Sequence, residues 1–181
     1  HIACFSFFPG KNLGAYGDGG AVVTNNKKIY KKILKLRTHG AIKKFKHEIV
    51  GINSRLHSMQ AVVLNHKLKR INLINNKKRK IANYYLKNIN NKKIKLFKIS
   101  KNSCFHQFVI LVNQRNKFLK YLAEFKIPYG FHYPYTIHSL PAIRKYCEDK
   151  KFKNSIKISK KGVSIPIDPF LQKKQLDFII K

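Results

Sequence analysis

The chain has 181 residues, and 44% of them are apolar, which is enough for one sizeable hydrophobic core or one core and a partial second. Lys and Arg number 39 against 7 Asp and Glu, so the formal net charge is +32. The abundance of large apolar residues excludes a disordered chain, and no apolar run approaches the ~20 residues that cross a membrane. Three widely spaced cysteines without a CxxC pair argue against a disulfide framework or a cysteine-rich zinc site. They fit a cytoplasmic protein.

The positive charge by itself suggests a nucleic-acid or anionic partner. Lys supplies 33 of the basic residues and Arg only 6, however, whereas base readout and phosphate binding favour Arg. The lysines are dispersed among Asn and Ile, as in INLINNKKRK at 71–80. We therefore expect no nucleic-acid partner. A basic nucleic-acid-binding protein is kept as the alternative, and it would need an Arg-containing stripe with interleaved exposed aromatics.

Periodicity and turn residues divide the chain into short strands and amphipathic helices. The first half contains a strand at 2–8, a glycine-dense loop at 11–20, a strand at 21–24 and a helix at 27–37, followed by an irregular stretch at 41–54. The second half contains strands at 93–97, 106–112, 130–134 and 163–167, and helices at 116–125, 140–147 and from about 171.

Between these halves a helical pattern runs from 55 to 89 without Gly or Pro, which predicts one long helix that leaves one domain and enters the next. The predicted organisation is residues 1–54 as part of a larger domain, 55–89 as the connecting helix, and 90–181 as a small α+β domain. The chain begins inside a predicted strand, and we expect it to be part of a longer protein.

The loop at 11–20 carries the clearest chemical signal. Ser6 ends a strand, and Lys11 follows a Pro9-Gly10 turn in a loop with four glycines, at 14, 17, 19 and 20. Such a loop lets a ligand approach the backbone closely, a hydroxyl can bind phosphate, and a lysine can serve as an amine nucleophile. The spacing matches neither GxxxxGK[ST] nor GxGxxG. Six of the histidines show no metal-ligand spacing with nearby acids, so no metal site is predicted; they are His39, His47, His57, His66, His106 and His138.

Four blocks in order resemble the DegT/DnrJ/EryC1/StrS family of sugar aminotransferases. The first, ACFSFFPGKNLGAYGDGGAVVTN at 3–25, is similar to the family's lysine segment, and LRTHGAIKKFKHEIVGINSRLHSMQAVVL at 36–64 is similar to its NSRL region. PYGFHYPYTIHSLPAI at 128–143 and VSIPIDPFLQKKQLDFII at 163–180 resemble two further family elements. The resemblance implies an α/β, aspartate-aminotransferase-like (fold type I) enzyme dependent on pyridoxal 5′-phosphate (PLP), with a partial large domain and a small C-terminal α+β domain.

The resemblance also implies a role for individual residues. Lys11 matches the lysine that bonds covalently to PLP and shuttles protons, and Ser6 matches a serine that contacts the cofactor phosphate. Asn53 matches an asparagine that reaches the phosphate in the neighbouring subunit, which implies a homodimer with shared sites. His132, Tyr133 and Lys44 match positions that contact the substrate in some members. The implied substrates are a nucleotide-linked keto-deoxy sugar, such as a dTDP- or UDP-hexose, and Glu or Gln as amino donor.

Each of these residues also has a structural interpretation. Ser6 could cap a turn, and Asn53 could be a turn or helix-capping residue. His132 and Tyr133 could be half-buried strand residues, and Lys44 could be one surface lysine among many.

Two other functional classes stay open beside an active aminotransferase. A related sugar dehydratase replaces the lysine by His, and Lys11 argues against it. An inactive remnant is the other, because the family's Asp partner of the pyridinium nitrogen precedes the lysine segment. Every Asp in these residues follows Ser6. We therefore expect the 181 residues alone to be incompetent in amino transfer, with apolar faces of residues 1–54 exposed.

Overall fold

The computed structural model describes residues 1–100, 102–147 and 152–181. The chain forms two compact units, His1–Asn72 and Leu73–Lys181. The boundary lies within the predicted connecting segment, and the assignment of 1–54 and 90–181 to two domains of a larger enzyme stays a prediction.

The first unit opens with strands β1 (Ile2–Ser6) and β2 (Gly20–Thr24), which pair antiparallel with Ile2 opposite Thr24 and Ser6 opposite Gly20. Helix α1 (Lys27–Leu36) follows, and the Asn26 side chain caps it by accepting hydrogen bonds from the amides of Lys28 and Ile29. These elements agree with the sequence prediction within a few residues, because their alternation and capping signals are local.

The two-stranded sheet leaves apolar side chains in contact with solvent. Every residue of β1 is exposed, and Phe5 retains 54% of its surface. In the described part of the chain, only Ala15 and Leu64 of the first unit are buried hydrophobic residues. The expectation of exposed apolar faces in residues 1–54 is therefore confirmed.

The stretch at 41–54, predicted to be irregular, contains a small hairpin. Strands β3 (Ala41–Lys43) and β4 (Lys46–His47) pair antiparallel around a turn in which Phe45 has φ of +64°. The prediction missed it because Lys44-Phe45 lacks the Asn-Gly or Gly-Gly signature of a hairpin turn.

The prediction of one continuous helix over 55–89 is wrong. The segment forms α2 (Ser58–Leu68) and α3 (Ile71–Asn88), and the Arg70 amide donates to the Lys67 carbonyl at 3.0 Å in the tight turn between them. Each helix buries residues in a different unit: Leu64 in the first, and Ile81, Ala82 and Tyr85 in the core of the second. No Gly or Pro marks this break in the sequence.

The second unit is built on a three-stranded antiparallel sheet in the order β5 (Ile94–Lys95), β6 (Phe108–Val112), β7 (Gly162–Ile165). The described residues of this unit also form α4 (Arg115–Glu124), a 3₁₀ turn at Ile137–Ser139, α5 (Pro141–Arg144), α6 (Lys153–Lys161) and α7 (Lys173–Ile180). The predicted strand at 93–97 is thus shorter, and the helix predicted at 140–147 is a single turn.

The core of this unit lies where α3 packs on the sheet. Tyr85 is fully buried, its ring centroid lies 5.0 Å from that of Phe108, and its hydroxyl donates to the Pro166 carbonyl at 2.8 Å. Burial raises the pKa of the Tyr85 hydroxyl. Most of the buried hydrophobic residues in the described ranges lie in this unit. Their burial is the main contribution to the stability of its fold.

Residues 130–134, predicted to be a strand, form a loop. Only Gly130 pairs with the sheet, through an isolated bridge to Ser164, and the chain turns away after it. Helix α6 was not predicted at all, because its nine residues KNSIKISKK offer only two apolar side chains to a periodicity search.

Within the described ranges, no helix combines the length and apolar character needed to cross a membrane. The same residues contain no group of three His, Cys, Asp or Glu side chains arranged to hold a metal ion.

Candidate functional site

The loop between β1 and β2 folds tightly around Lys11. The Phe7 amide donates to the Gly19 carbonyl and the Ala15 amide to the Phe7 carbonyl, both at 2.8 Å. The Lys11 amide donates to the Phe8 carbonyl at 2.8 Å, which closes the Pro9-Gly10 turn. The backbone of Lys11 is thereby fixed, and its side chain is half-buried.

Glycine is required at position 14 of this loop. A Cβ atom built there would lie 2.2 Å from the Pro9 carbonyl oxygen, closer than any real contact. Gly14 therefore lets the two sides of this loop come into contact. We call the loop, residues 7–19, the lysine loop.

Two side chains of helix α2 form hydrogen bonds to the backbone of the lysine loop. The Gln60 side-chain carbonyl accepts a hydrogen bond from the Tyr16 amide at 2.7 Å, and the Lys67 ammonium donates to the Gly14 carbonyl at 2.6 Å. The Lys67 ammonium also lies 4.6 Å from the centroid of the Tyr16 ring, a cation–π distance. Gln60 and Lys67 thus act as positioning residues for the segment that carries Lys11.

Sequence reasoning did not single out Gln60 or Lys67. Gln60 lies within the quoted block at 36–64, so a signal for it was present. For Lys67 no local pattern distinguishes a residue that contacts a loop 53 positions away from the other 32 lysines.

Ser6 lies at the entrance to the lysine loop. Its hydroxyl oxygen accepts a hydrogen bond from the Phe8 amide at 3.3 Å, so it caps the turn as its structural interpretation predicts. Accepting this bond leaves the hydroxyl hydrogen to donate, and Ser6 is exposed. The capping role and phosphate binding are therefore compatible.

Asn53 belongs to a segment that is hydrogen-bonded to the end of α1. The Ile52 amide donates to the Leu36 carbonyl at 2.8 Å, and Thr38 and Asn53 form an isolated β-bridge. The Asn53 side-chain carbonyl accepts from the Arg55 guanidinium at 3.0 Å. This bond orients the amide group, so that its NH₂ is the part left to donate.

Lys44 lies at the turn of the β3–β4 hairpin. It is exposed, and its ammonium lies 5.1 Å from the centroid of the Phe45 ring. Phe45 itself is 86% exposed, so the turn presents a cation and an aromatic ring to solvent.

His132 and Tyr133 lie in the second unit, in the loop that follows Gly130. The His132 Nδ1 atom is 2.7 Å from the Ser164 hydroxyl, and the His132 and Tyr133 rings meet edge to face with centroids 5.5 Å apart. Both residues are exposed and neither lies in a strand, so the interpretation as half-buried strand residues is wrong.

The six predicted site residues are thus divided between the units. Ser6, Lys11, Lys44 and Asn53 belong to the first unit, and His132 and Tyr133 to the second. Their roles toward a ligand stay predictions.

A family comparison identifies the chain. The profile of the DegT/DnrJ/EryC1/StrS aminotransferase family matches residues 1–181. The chain belongs to this family. The resemblance seen in the four blocks of the sequence is therefore confirmed.

Similar proteins agree with this assignment. The chain is 38% identical over 181 residues to dTDP-3-amino-3,6-dideoxy-alpha-D-galactopyranose transaminase of Aneurinibacillus thermoaerophilus, covering 99% of this chain and 50% of the relative. Among solved structures, S. venezuelae DesV in complex with a ketimine intermediate superposes with a TM-score of 0.91 at 32% identity, covering 99% of this chain and 49% of DesV. NtdA of Bacillus subtilis with bound cofactor PMP superposes with a TM-score of 0.84 at 25% identity, covering 99% and 46%.

These matches define the fold and its extent. The chain has the α/β fold of one part of an aspartate-aminotransferase-like (fold type I) enzyme, as predicted. It spans about half the length of the curated relatives it matches.

Proposed function

We propose that this protein is a PLP-dependent aminotransferase that acts on a nucleotide-linked keto-deoxy sugar, such as a dTDP- or UDP-hexose, with Glu or Gln as amino donor. The product would be an amino sugar for a surface polysaccharide or another glycoconjugate. The observation that carries the proposal is Lys11, held on a hydrogen-bonded, glycine-rich loop in a chain whose relatives include nucleotide-sugar transaminases.

The chemistry of the donor set fits PLP. Lys11 offers a primary amine, the group that condenses with the aldehyde of the cofactor. Ser6 offers a hydroxyl hydrogen and Asn53 an amide NH₂, and both groups are able to donate to phosphate oxygens. When bound, the cofactor supplies an electron sink for the carbon from which a proton is removed.

Lys11 would hold the cofactor covalently and then act as the general base through Nζ. Both tasks need an amine that returns to the same position after each step. The three backbone bonds that close the lysine loop, together with the contacts of Gln60 and Lys67, support such a return.

Ser6 and Asn53 would bind phosphate oxygens from two sides. Ser6 is fixed by the bond from the Phe8 amide, and its hydroxyl would donate to the cofactor held by its own chain. Asn53, oriented by Arg55, would donate to the cofactor of a neighbouring subunit. The expected assembly is therefore a homodimer with shared sites.

Exposed apolar residues around Asn53 support that assembly. Val50 retains 96% of its surface and Ile52 65%, and Phe45 protrudes from the adjacent hairpin. Several large apolar side chains exposed within a short segment are typical of protein–protein contacts.

The remaining residues would bind the nucleotide sugar. Lys44 carries a cation at the hairpin turn and would neutralise a phosphate of the substrate in the partner subunit. His132 and Tyr133 would contact the sugar or its phosphates through the imidazole and the phenol.

The proposal is tested by following ¹⁵N from labelled Glu or Gln into a dTDP- or UDP-linked keto sugar, with PLP and the protein purified from its native reading frame rather than the 181 residues alone. Lys11→Ala should abolish label transfer, while Lys28→Ala, a surface lysine on α1, should leave it unchanged. Label transfer by Lys11→Ala at the wild-type rate would contradict the assignment, and no transfer by the wild-type protein would favour an inactive remnant.

A further inference from the structure

The contact between His132 and Ser164 joins an exposed group to a buried one. Ser164 lies in β7 with 4% of its surface exposed, while His132 is exposed in the loop opposite. The Ser164 hydroxyl and the His132 Nδ1 atom are 2.7 Å apart, a short hydrogen bond.

Three further features of the surroundings position the imidazole ring of His132. The backbones of Gly130 and Ser164 exchange two hydrogen bonds of 3.0 and 2.8 Å, which anchors the chain two residues before His132. A Cβ at Gly130 would lie 3.1 Å from His132 Cε1, so the ring sits directly over this glycine. The Tyr133 ring packs against the His132 ring with an angle of 68° between the two ring planes.

The burial of Ser164 determines which atom carries the proton. A buried hydroxyl that does not donate its hydrogen loses a hydrogen bond that water supplies in the unfolded chain. Among the described residues, the hydrogen-bond partner that the structure gives this hydroxyl is His132 Nδ1. If Nδ1–H were the donor instead, the Ser164 hydrogen would be left without that acceptor, at a cost to the folded state. This cost favours the neutral imidazole that carries its hydrogen on Nε2.

We propose that Ser164 is a positioning residue that holds His132 as the Nε2–H tautomer, so that His132 presents a hydrogen-bond donor to an acceptor oxygen of the nucleotide sugar. The part concerning the sugar rests on the proposed function. The tautomer follows from the contacts of this chain alone.

The tautomer is measured by long-range ¹H–¹⁵N correlation of the full chain labelled with ¹⁵N-histidine, at about pH 8, above the usual histidine pKa of about 6.5. A His132→Gln variant assigns the signals. We expect the Nε2–H pattern for His132 in the wild-type chain, a mixture of both tautomers in Ser164→Ala, and recovery of the wild-type pattern in Ser164→Thr, which keeps the hydroxyl.

Ser159→Ala is the matched control, because it removes a hydroxyl that donates to the Ile156 carbonyl within α6 of the same unit. It should leave the His132 pattern unchanged. A predominant Nδ1–H form in the wild-type chain overturns the inference even if Ser164→Ala fails to fold. An unchanged pattern in a folded Ser164→Ala variant overturns it as well.

Titration with a dTDP-linked hexose, with dTDP alone as the second arm, separates the inference from the proposed function. A shift of the His132 Nε2–H signal with either ligand, and roughly tenfold weaker binding by Ser164→Ala, support a contact to substrate. A shift in the dTDP titration assigns the contact to the nucleotide part of the substrate, and a shift with the dTDP-linked hexose but not with dTDP assigns it to the sugar. An Nε2–H signal that neither ligand moves overturns the substrate contact while leaving the tautomer assignment in place.

Discussion

Replacing Lys67 by methionine should loosen the loop that carries Lys11. The substitution keeps an unbranched side chain of similar length but removes the charged hydrogen bond to the Gly14 carbonyl and the cation–π contact with the Tyr16 ring. A hydrogen bond to a charged group contributes about 1.5–3 kcal/mol, and a cation–π contact at an exposed site about 0.5–1 kcal/mol. Lys67 is half-buried, so we expect a combined loss of about 2 kcal/mol.

A loss of about 2 kcal/mol corresponds to a roughly 30-fold increase in the opening equilibrium of the lysine loop. Amide hydrogen exchange of Ala15 and Tyr16 reports this opening, because the Ala15 amide donates to the Phe7 carbonyl within the loop and the Tyr16 amide donates to the Gln60 side chain of α2. Lys69→Met is the control, since Lys69 is an exposed lysine that directly follows the last residue of α2. If exchange at Ala15 and Tyr16 were equally slow in both variants, α2 would not hold the lysine loop and the positioning argument would be refuted.

Two further predictions concern the core of the second unit. Tyr85→Phe should lower the free energy of unfolding by about 1–2 kcal/mol in urea titrations, because the half-buried Pro166 carbonyl loses its donor from a fully buried tyrosine; no change would show that this bond is dispensable. Burial lowers the pKa of Lys78 below its usual 10.5, an effect that the Asp168 carboxylate opposes. In the range between that lowered pKa and 10.5 the unfolded chain binds more protons, so wild-type stability rises with pH. Lys78→Met should therefore unfold at a higher temperature than wild type near neutral pH, with a gain that shrinks as pH approaches 10.5, and a gain independent of pH would contradict the burial argument.

Much of the fold could be predicted from local patterns. An apolar run or face can be recognised within ten residues in each of β6, α4 and α7. The structure places these elements within a few residues of the prediction. The break between α2 and α3 could not be predicted, because it arises from the burial of Leu64 and Tyr85 in different units rather than from a residue that disfavours helix.

The candidate site shows the same division. Lys11 and Ser6 were identified from a loop whose glycines and resemblance lie in consecutive residues. Gln60 and Ser164 act through contacts to residues 44 and 32 positions away, and such pairs have no signature in a single sequence.

The central claim is that the Lys11 amine is the group that bonds the cofactor. The protein should be purified from its native reading frame, loaded with PLP, reduced with borohydride to make that bond permanent, digested and mapped by mass spectrometry. The account predicts the cofactor on the peptide that contains Lys11, at one per chain. Modification of another lysine in its place, or of none, would contradict it.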